Sequence, residues 1–343
     1  MDSVGRIASQ IYLDEVRKAN SKLYSVIRRM KALSPIESFW VGILDGHEMI
    51  TTRDCSCEDC LIRRVRTLDG EIEQYYHRYV TFLLAGPKIT LLLDAEPIRR
   101  GEDEVSACMR LIERVCKNFP RAFKVVACDG LYLQAKVLNL LDQHKKYIIA
   151  VLKDENRVIY RDANGLFSIV SPERFKDGKV EYEIWDVDHL ASWDNYPKEM
   201  RVVKSFERTT ERRHAASGFL SGRKWETVTS ETTWVWATNL PKERISARKI
   251  VILGHKRWQI ENQGYNELVN HWHADHVYKH DANAILVFLM LLFIAYNILN
   301  VFYNRNLKDP NLKRTKIFVS DLISASLLHS ISEGKREARS PPA

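Results

Sequence analysis

Cysteine is scarce in this chain, six in 343 residues and irregularly spaced, which excludes a disulfide-built scaffold and fits a reduced, cytoplasmic protein. The N-terminus, MDSVGRIASQIY, lacks the apolar core of a signal peptide. Internal repeats are absent, and the only low-complexity stretch is the polar tail 334–343, so solenoids and propellers are excluded. No Ser–His or Cys–His pairing suggests a nucleophilic enzyme. Long apolar runs are limited to one, ANAILVFLMLLFIAYNILNVFY at 282–303, with 22 uncharged residues, enough to span a bilayer. Asn283, Asn297 and Asn300, with Tyr296 and Tyr303, gather towards one side of that helix. A lipid-facing span has little reason for such a side, and no second span accompanies it. The segment reads as the buried centre of a protein without a membrane partner.

What the chain has in excess is positive charge, 52 Lys and Arg against 44 Asp and Glu, a net +8 that favours a polyanionic partner. The charge is dispersed over IRRVR (62–66), IRR (98–100), ERTTERRH (207–214), KRTK (313–316) and GKREAR (334–339), so no one cluster marks a binding face. Hydrophobic residues at 45% and charged residues at 28% are ordinary for a globular protein with one large or two modest domains.

Residues 1–37 form a basic helical segment closed near Pro35. FWVGILDG (39–46), YYHRYVTFLL (75–84) and KITLLLDAEP (88–97) read as strands of an antiparallel meander, with a polar, cysteine-bearing excursion after the first. EDEVSACMRLIERVCKNF (102–119) is an amphipathic helix with acidic residues at its start, FKVVACDG (123–130) a strand, LQAKVLNLLDQH a helix and YIIAVLK (147–153) a strand. Residues 38–154 therefore carry an α/β core. Across 155–243 the pattern becomes that of an antiparallel β module, with five of the eight tryptophans. Helices return over 244–310, and a helix with a polar tail occupies 311–343.

Two strands end alike, in GILDG and VACDG, each placing an aspartate, Asp45 or Asp129, at the mouth of a buried strand beside a glycine that supplies backbone freedom. Ligands of open α/β sheets gather at such strand ends. A third carboxylate stands in KRWQIENQGYNEL, 256–268. At about 100° per residue, Arg257, Glu261, Tyr265, Leu268 and Trp272 share one stripe of a helix, while Gln259, Asn262, Gln263, Asn266 and Asn270 take the other side. Glu261 in that stripe is explained either by an i, i+4 ion pair with Arg257 or by a metal. Three convergent carboxylates make a hard-oxygen site suited to Mg²⁺ or Mn²⁺, and two such ions clamp an in-line displacement at a phosphodiester. Asp94, at the end of LLLDAEP, competes for the first position. Asp45 ranks above it because it sits on the first strand and its Asp-Gly pattern recurs at Asp129, which leaves Asp94 a capping or supporting role.

ILDGHE, LLLDAEPIRRGEDEV, VVACDGLY and RWQIEN, in that order over roughly 38–305, resemble the DDE transposases of bacterial and archaeal insertion sequences. The branch it resembles has an RNase H-like catalytic core interrupted by a β-stranded insertion. The resemblance implies an RNase H-like mixed sheet flanked by helices, a metal-binding triad of Asp45, Asp129 and Glu261, double-stranded DNA as partner at element ends and target, a homodimer in the active complex, and a prokaryotic cytoplasmic setting. The family's last motif reads Tyr-(2)-Arg-(3)-Glu-(6)-Lys. Arg257 and Glu261 match it, whereas Gly254 and Leu268 stand at the tyrosine and lysine positions, which questions part of the DNA-end contact. The alternatives are an RNase H-like nuclease without strand transfer and an inactive, truncated DNA-binding remnant. The remnant draws on the short stretch of about 38 residues before the first strand.

Arg257, and the basic, glycine-punctuated loop with Arg208, Arg212, Arg213, Arg223 and Lys224 beside Trp225, are the candidate DNA contacts. Cys55, Cys57 and Cys60, with His47 or His77 as fourth ligand, form a zinc candidate whose second half is missing. His276 and His280, at i and i+4 beside His271 and His273, are more consistent with phosphate contact or helix-end packing, because no glutamate is placed as in metalloproteases.

Overall fold

A computed structural model describes residues 2–53, 56–68, 70–193, 195–214, 225–307 and 314–337. The strands are β1 (Val41–Thr52), β2 (Leu61–Thr67), β3 (Gly70–Ala85), β4 (Leu91–Pro97), β5 (Val125–Cys128), β6 (Tyr147–Val151), β7 (Glu173–Asp177), β8 (Val180–Leu190), β9 (Met200–His214) and β10 (Trp225–Thr238). They form one 10-stranded sheet in the order β2-β3-β1-β5-β6-β10-β9-β8-β7, and β4 pairs with β3 alongside β2. β3 is antiparallel to β1 and β4, whereas β5 and β6 run parallel to β1. This is the RNase H-like mixed sheet. The meander β7–β10 does not build a sheet of its own. Trp236 to Thr238 of β10 pair antiparallel with Ile149 to Val151 of β6, so the meander prolongs the core sheet.

The helices are α1 (Asp2–Gln10), α2 (Leu13–Arg29), α3 (Glu104–Asn118), α4 (Ala135–Gln143), α5 (Val158–Phe167), α6 (Ala247–His255), α7 (Asn266–Trp272), α8 (Ala282–Asn306) and α9 (Lys316–Glu337). Side chains alternate across the sheet, and each face has its own core. Leu44, Phe82, Val126 and Cys128 face α3, α4 and α5, while Val41, Ile43, Val125 and Ala127 face α6, α7 and α8. In α3, Val105, Cys108, Leu111, Ile112 and Val115 recur at helical spacing and are buried, and the Asp103 carboxylate caps the helix by accepting from Ser106 N–H at 2.7 Å.

Two expectations are corrected. The excursion after the first strand is itself β-structure: β1 runs on to Thr52, and β2 and β3 pair from Leu61↔Tyr76 to Thr67↔Gly70. IRRVR carried no strand signal because this hairpin buries neither face fully, so its strands lack an apolar alternation. Residues 158–167 form α5, a helix inside the stretch read as purely β, anchored by buried Ile159, Ala163 and Phe167.

The asparagines of α8 serve the open edge of β4. Leu92 donates its N–H to Asn297 Oδ1 at 2.8 Å, and Asn297 Nδ2 donates back to Leu92 O at 2.8 Å. Asn20 donates to Leu92 O and Leu93 O, and Asn300 to Thr90 O. An edge strand with unpaired amides invites aggregation unless covered; here side-chain amides take the place of a neighbouring strand. Although α8 is long and apolar enough to cross a bilayer, 61% of its most apolar stretch is buried within the protein.

Candidate active site

Asp45 shares the alternation of Val41 and Ile43, and Asp129 that of Val125 and Ala127, so both carboxylates leave the sheet on the face covered by α6 and α7. Leu44 pairs with Cys128 in the parallel β1–β5 ladder, so the two aspartates occupy the next register position on adjacent strands, which lie about 4.8 Å apart. Each carboxylate accepts from the glycine that follows it, Asp45 from Gly46 N–H at 3.0 Å and Asp129 from Gly130 N–H at 2.7 Å. Lys153 Nζ lies 3.8 Å from Asp129.

The glycines are there for space, not for backbone freedom. A methyl group on Gly46 would overlap the Glu104 carboxylate, and one on Gly130 would press on the Val151 carbonyl at 2.6 Å. Glu104, the first residue of α3, thus reaches the site from the opposite face. Tyr132 donates its hydroxyl to Glu104 at 2.6 Å, and Arg78 pairs with it at 2.9 Å. Sequence reasoning treated this residue only as favourable charge at a helix start. The signal that could have found it is the glycine after Asp45.

Glu261 lies on the same face as the aspartates, but not on an ideal α-helix. Ile260–Tyr265 form a π-helical turn, in which Asn266 N–H reaches Glu261 O, five residues back. Such turns concentrate at functional sites. Tyr265 holds the turn to β1, donating to Asp45 O at 2.7 Å and stacking on His47 at 4.1 Å between ring centroids. The ion pair exists, with Arg257 Nη1 3.1 Å from Glu261 Oε1, but the buried member is the arginine. The Arg257 side chain is 9% exposed and that of Glu261 45%. The stripe therefore conceals a cation and presents the carboxylate at the mouth. Arg257, expected among the DNA contacts, is instead enclosed, its Nε lacking a hydrogen-bond partner and its charge acting on Asp45.

Burial pushes the Asp45 carboxyl up to about 6, Arg257 opposes the rise, and Glu261 and Glu104 add to it. Asp45, Glu261, Glu104 and Arg257 therefore act within one electrostatic neighbourhood, joined by Asp129 through the strand register. The carboxylate oxygens of the triad do not all lie within 4.8 Å of one another. Among the described residues the one group of three or more potential ligand atoms lying that close is that of Cys57, Cys60, His77 and His280. Cys55 lies outside the described residues. His47 is at Tyr265 rather than with the cysteines, and the segment of His276 and His280 is not helical, so those two share no helix face.

Asp94 projects to the other side of the sheet. A bulge in the β3–β4 ladder sets it opposite Phe82, towards α3, where Arg17 and Arg114 pair with it at 3.2 and 2.6 Å. The family-motif departures are equally structural: the Trp236 indole fills the space over Gly254, and Leu268 is core.

Of the basic-loop residues, Arg208 pairs across the β9–β10 hairpin with Glu231 at 2.8 Å, Arg212 is exposed, and Arg213 is placed by its backbone pairing with Glu226. Arg223 and Lys224 lie outside the described residues. Arg63, Arg64 and Arg66 are matched by Glu48, Glu73 and Glu71, so the IRRVR charge is largely internal to its hairpin. Trp236 is core and packs on His255, Trp234 is partly buried against His255 and Trp258, and Trp225 is exposed beside the basic loop.

The family model for the transposase DDE domain matches residues 103–298, more than half of the chain, a stretch that holds Asp129, Arg257 and Glu261 and begins after Asp45. No curated protein matches the sequence.

Proposed function

The chain belongs to the transposases with a DDE domain, and we propose that it hydrolyses and joins DNA strands at the ends of an insertion element through Asp45, Asp129 and Glu261. The observation that carries this reading is the state of Asp45. Its carboxylate is half-buried, accepts one hydrogen bond from its own neighbour, and is pushed up to about 6 by burial and by two further carboxylates. Acidic groups crowded in this way need a cation to be ionised together. An all-oxygen donor set fits Mg²⁺ or Mn²⁺.

When bound, a pair of such ions supplies the Lewis acidity that activates an attacking oxygen and stabilises the leaving one. The protein's own part is positional. Asp45, on the strand beside that of Asp129 and hydrogen-bonded through its carbonyl to the turn that carries Glu261, would hold such ions together with those two carboxylates. Arg257 pairs with Glu261 at 3.1 Å and favours the ionised form of Asp45. Glu104, fixed by Tyr132 and Arg78, packs against Gly46 beside Asp45. DNA would approach along the exposed arginines of the β9–β10 hairpin, with a second copy of the chain at the paired element end.

The test is cleavage and strand transfer on duplex oligonucleotides taken from the DNA flanking the gene. Asp45→Ala, Asp129→Ala and Glu261→Ala should each lower Mg²⁺-dependent cleavage by about 10³-fold or more, with the melting transition retained. Normal cleavage by Asp45→Ala would remove the proposal. Joining of a pre-cut 3′-OH end separates a transposase from an RNase H-like nuclease, and a wild-type chain that binds these ends without cutting them is a remnant.

A further inference from the structure

We propose that Cys57, Cys60, His77 and His280 hold one structural Zn²⁺ that ties the projecting β1–β3 hairpin to the chain leading into α8. The missing half of the cysteine motif is thus supplied by His77, near in sequence, and by His280 from far along the chain, which spacing rules could not connect to it.

The distances carry the assignment. Cys57 Sγ and Cys60 Sγ are 3.7 Å apart; His77 Nε2 is 3.4 Å from each; His280 Nε2 is 3.0 Å from Cys60 Sγ; and all four atoms lie within 4.8 Å of one another. A tetrahedron with Zn–S of about 2.3 Å and Zn–N of about 2.0–2.1 Å has edges of roughly 3.8 Å between sulfurs and roughly 3.5 Å between sulfur and nitrogen. The four atoms already stand close to those corners. The sulfur separation is far too long for a disulfide, and both cysteines are free. Two thiolates and two imidazoles in tetrahedral array select Zn²⁺ over Mg²⁺ or Mn²⁺, which take oxygen.

The surroundings suit a closed, structural centre. Cys60 and His77 are buried, and Cys57 and His280 half-buried. Four protein ligands leave no open position for a substrate. Cys57–Cys60 forms a tight turn, with Cys60 N–H donating to Cys57 O at 3.1 Å and Cys57 N–H to Cys60 Sγ at 3.2 Å, the kind of donor that stabilises a metal-bound thiolate. His77 is presented by β3 opposite Ile50 of β1. His280 precedes Asp281, whose carboxylate caps α8 through Ala284 N–H at 2.8 Å.

The ion would join two parts of the chain that flank the carboxylate site. One is β1–β3, which carries Asp45 at its base. The other is the segment after α7, the helix that continues from the turn carrying Glu261. Its function is to fix these parts relative to each other, separate from any ion held by the carboxylates.

The full-length protein, purified without chelator, should contain about one zinc per chain by elemental analysis. Exchange with Co²⁺ should give the intense visible bands and the thiolate charge-transfer band of a tetrahedral S₂N₂ centre. Cys60→Ser and His280→Ala should lose the zinc and melt several degrees lower, whereas Cys116→Ser should keep it. Removing zinc from the wild-type chain with a strong chelator should accelerate proteolysis between 273 and 281, a readout that needs no variant to fold. Wild-type protein that carries no zinc and gives no tetrahedral Co²⁺ spectrum under reducing conditions overturns the proposal, as does undiminished zinc in His280→Ala.

Discussion

Asp45 on β1 and Asp94 on β4 both close an apolar run, on strands that pair with opposite edges of β3, and in the sequence they look alike. In the folded chain they meet opposite environments. The bulge in β4 directs Asp94 to the α3 face, where it is 1% exposed and clamped by Arg17 and Arg114, with Glu96 sharing Arg114 and Arg110. Asp45 has no such bulge and emerges on the other face, with one amide from Gly46, an arginine committed to Glu261, and two carboxylates nearby. The charge of Asp94 is compensated by two arginines, whereas Asp45 is left with one amide and a shared arginine. That contrast distinguishes the two carboxylates more clearly than strand position does.

The largest effect expected from breaking the comparison is on Asp94. Asp94→Ala leaves Arg17 and Arg114 buried with less than their full counter-charge, and should cost about 3–5 kcal/mol in urea unfolding. A loss below about 1 kcal/mol would show that the pairs are screened like surface ones. Next is Gly46→Ala, where the added methyl has to displace Glu104 from Tyr132 and Arg78. About 1–3 kcal/mol of stability should be lost, and Glu104→Ala in the same chain should recover part of it. If the two losses simply add, the close contact is not the cause.

Asp45→Asn should have the opposite sign. Removing the crowded charge should stabilise the metal-free protein by about 1–2 kcal/mol at neutral pH. The pH profile follows from the same raised carboxyl. Between its ordinary value of 3.8 and about 6, the folded chain holds a proton that the unfolded chain has released. The stabilisation from Asp45 is therefore complete below that window and is lost as pH rises through about 6. The decline should vanish in Asp45→Asn, and a profile unchanged by the substitution would place the raised group elsewhere. The smallest effect concerns DNA. Neutralising Arg212, Arg213 and Arg223 together should flatten the log–log salt dependence of binding by up to about three units, near 0.9 per phosphate. An unaltered slope would move the DNA path to the exposed Arg99 and Arg100.

The sequence made the α/β core legible because buried strands such as VVAC and YIIAV and the periodic α3 announce themselves through apolar patterning alone. It also singled out Asp45 and Asp129 through their matching Asp-Gly strand ends, and the parallel β1–β5 pairing makes them neighbours. Three features were hidden for physical reasons. The π turn at Ile260–Tyr265 changes the angular spacing on which a helical stripe depends, so the stripe could not show that Arg257, not Glu261, is the buried partner. Glu104 arrives from another layer, through a glycine whose purpose is visible only once the helix is in place. His280 joins Cys57 and Cys60 across more than two hundred residues, beyond the reach of any local spacing rule.

The most direct test of the distinction between the two aspartates is calorimetric titration of Mn²⁺ at pH 6 in buffers of different ionisation enthalpy, with wild type and Asp45→Asn compared. Because Asp45 titrates at about 6, wild-type protein should bind Mn²⁺ with release of about half a proton per chain from that group, and Asp45→Asn should neither bind at the same concentrations nor release it. Unchanged Mn²⁺ affinity and proton release in Asp45→Asn would contradict the assignment of Asp45 to the metal site.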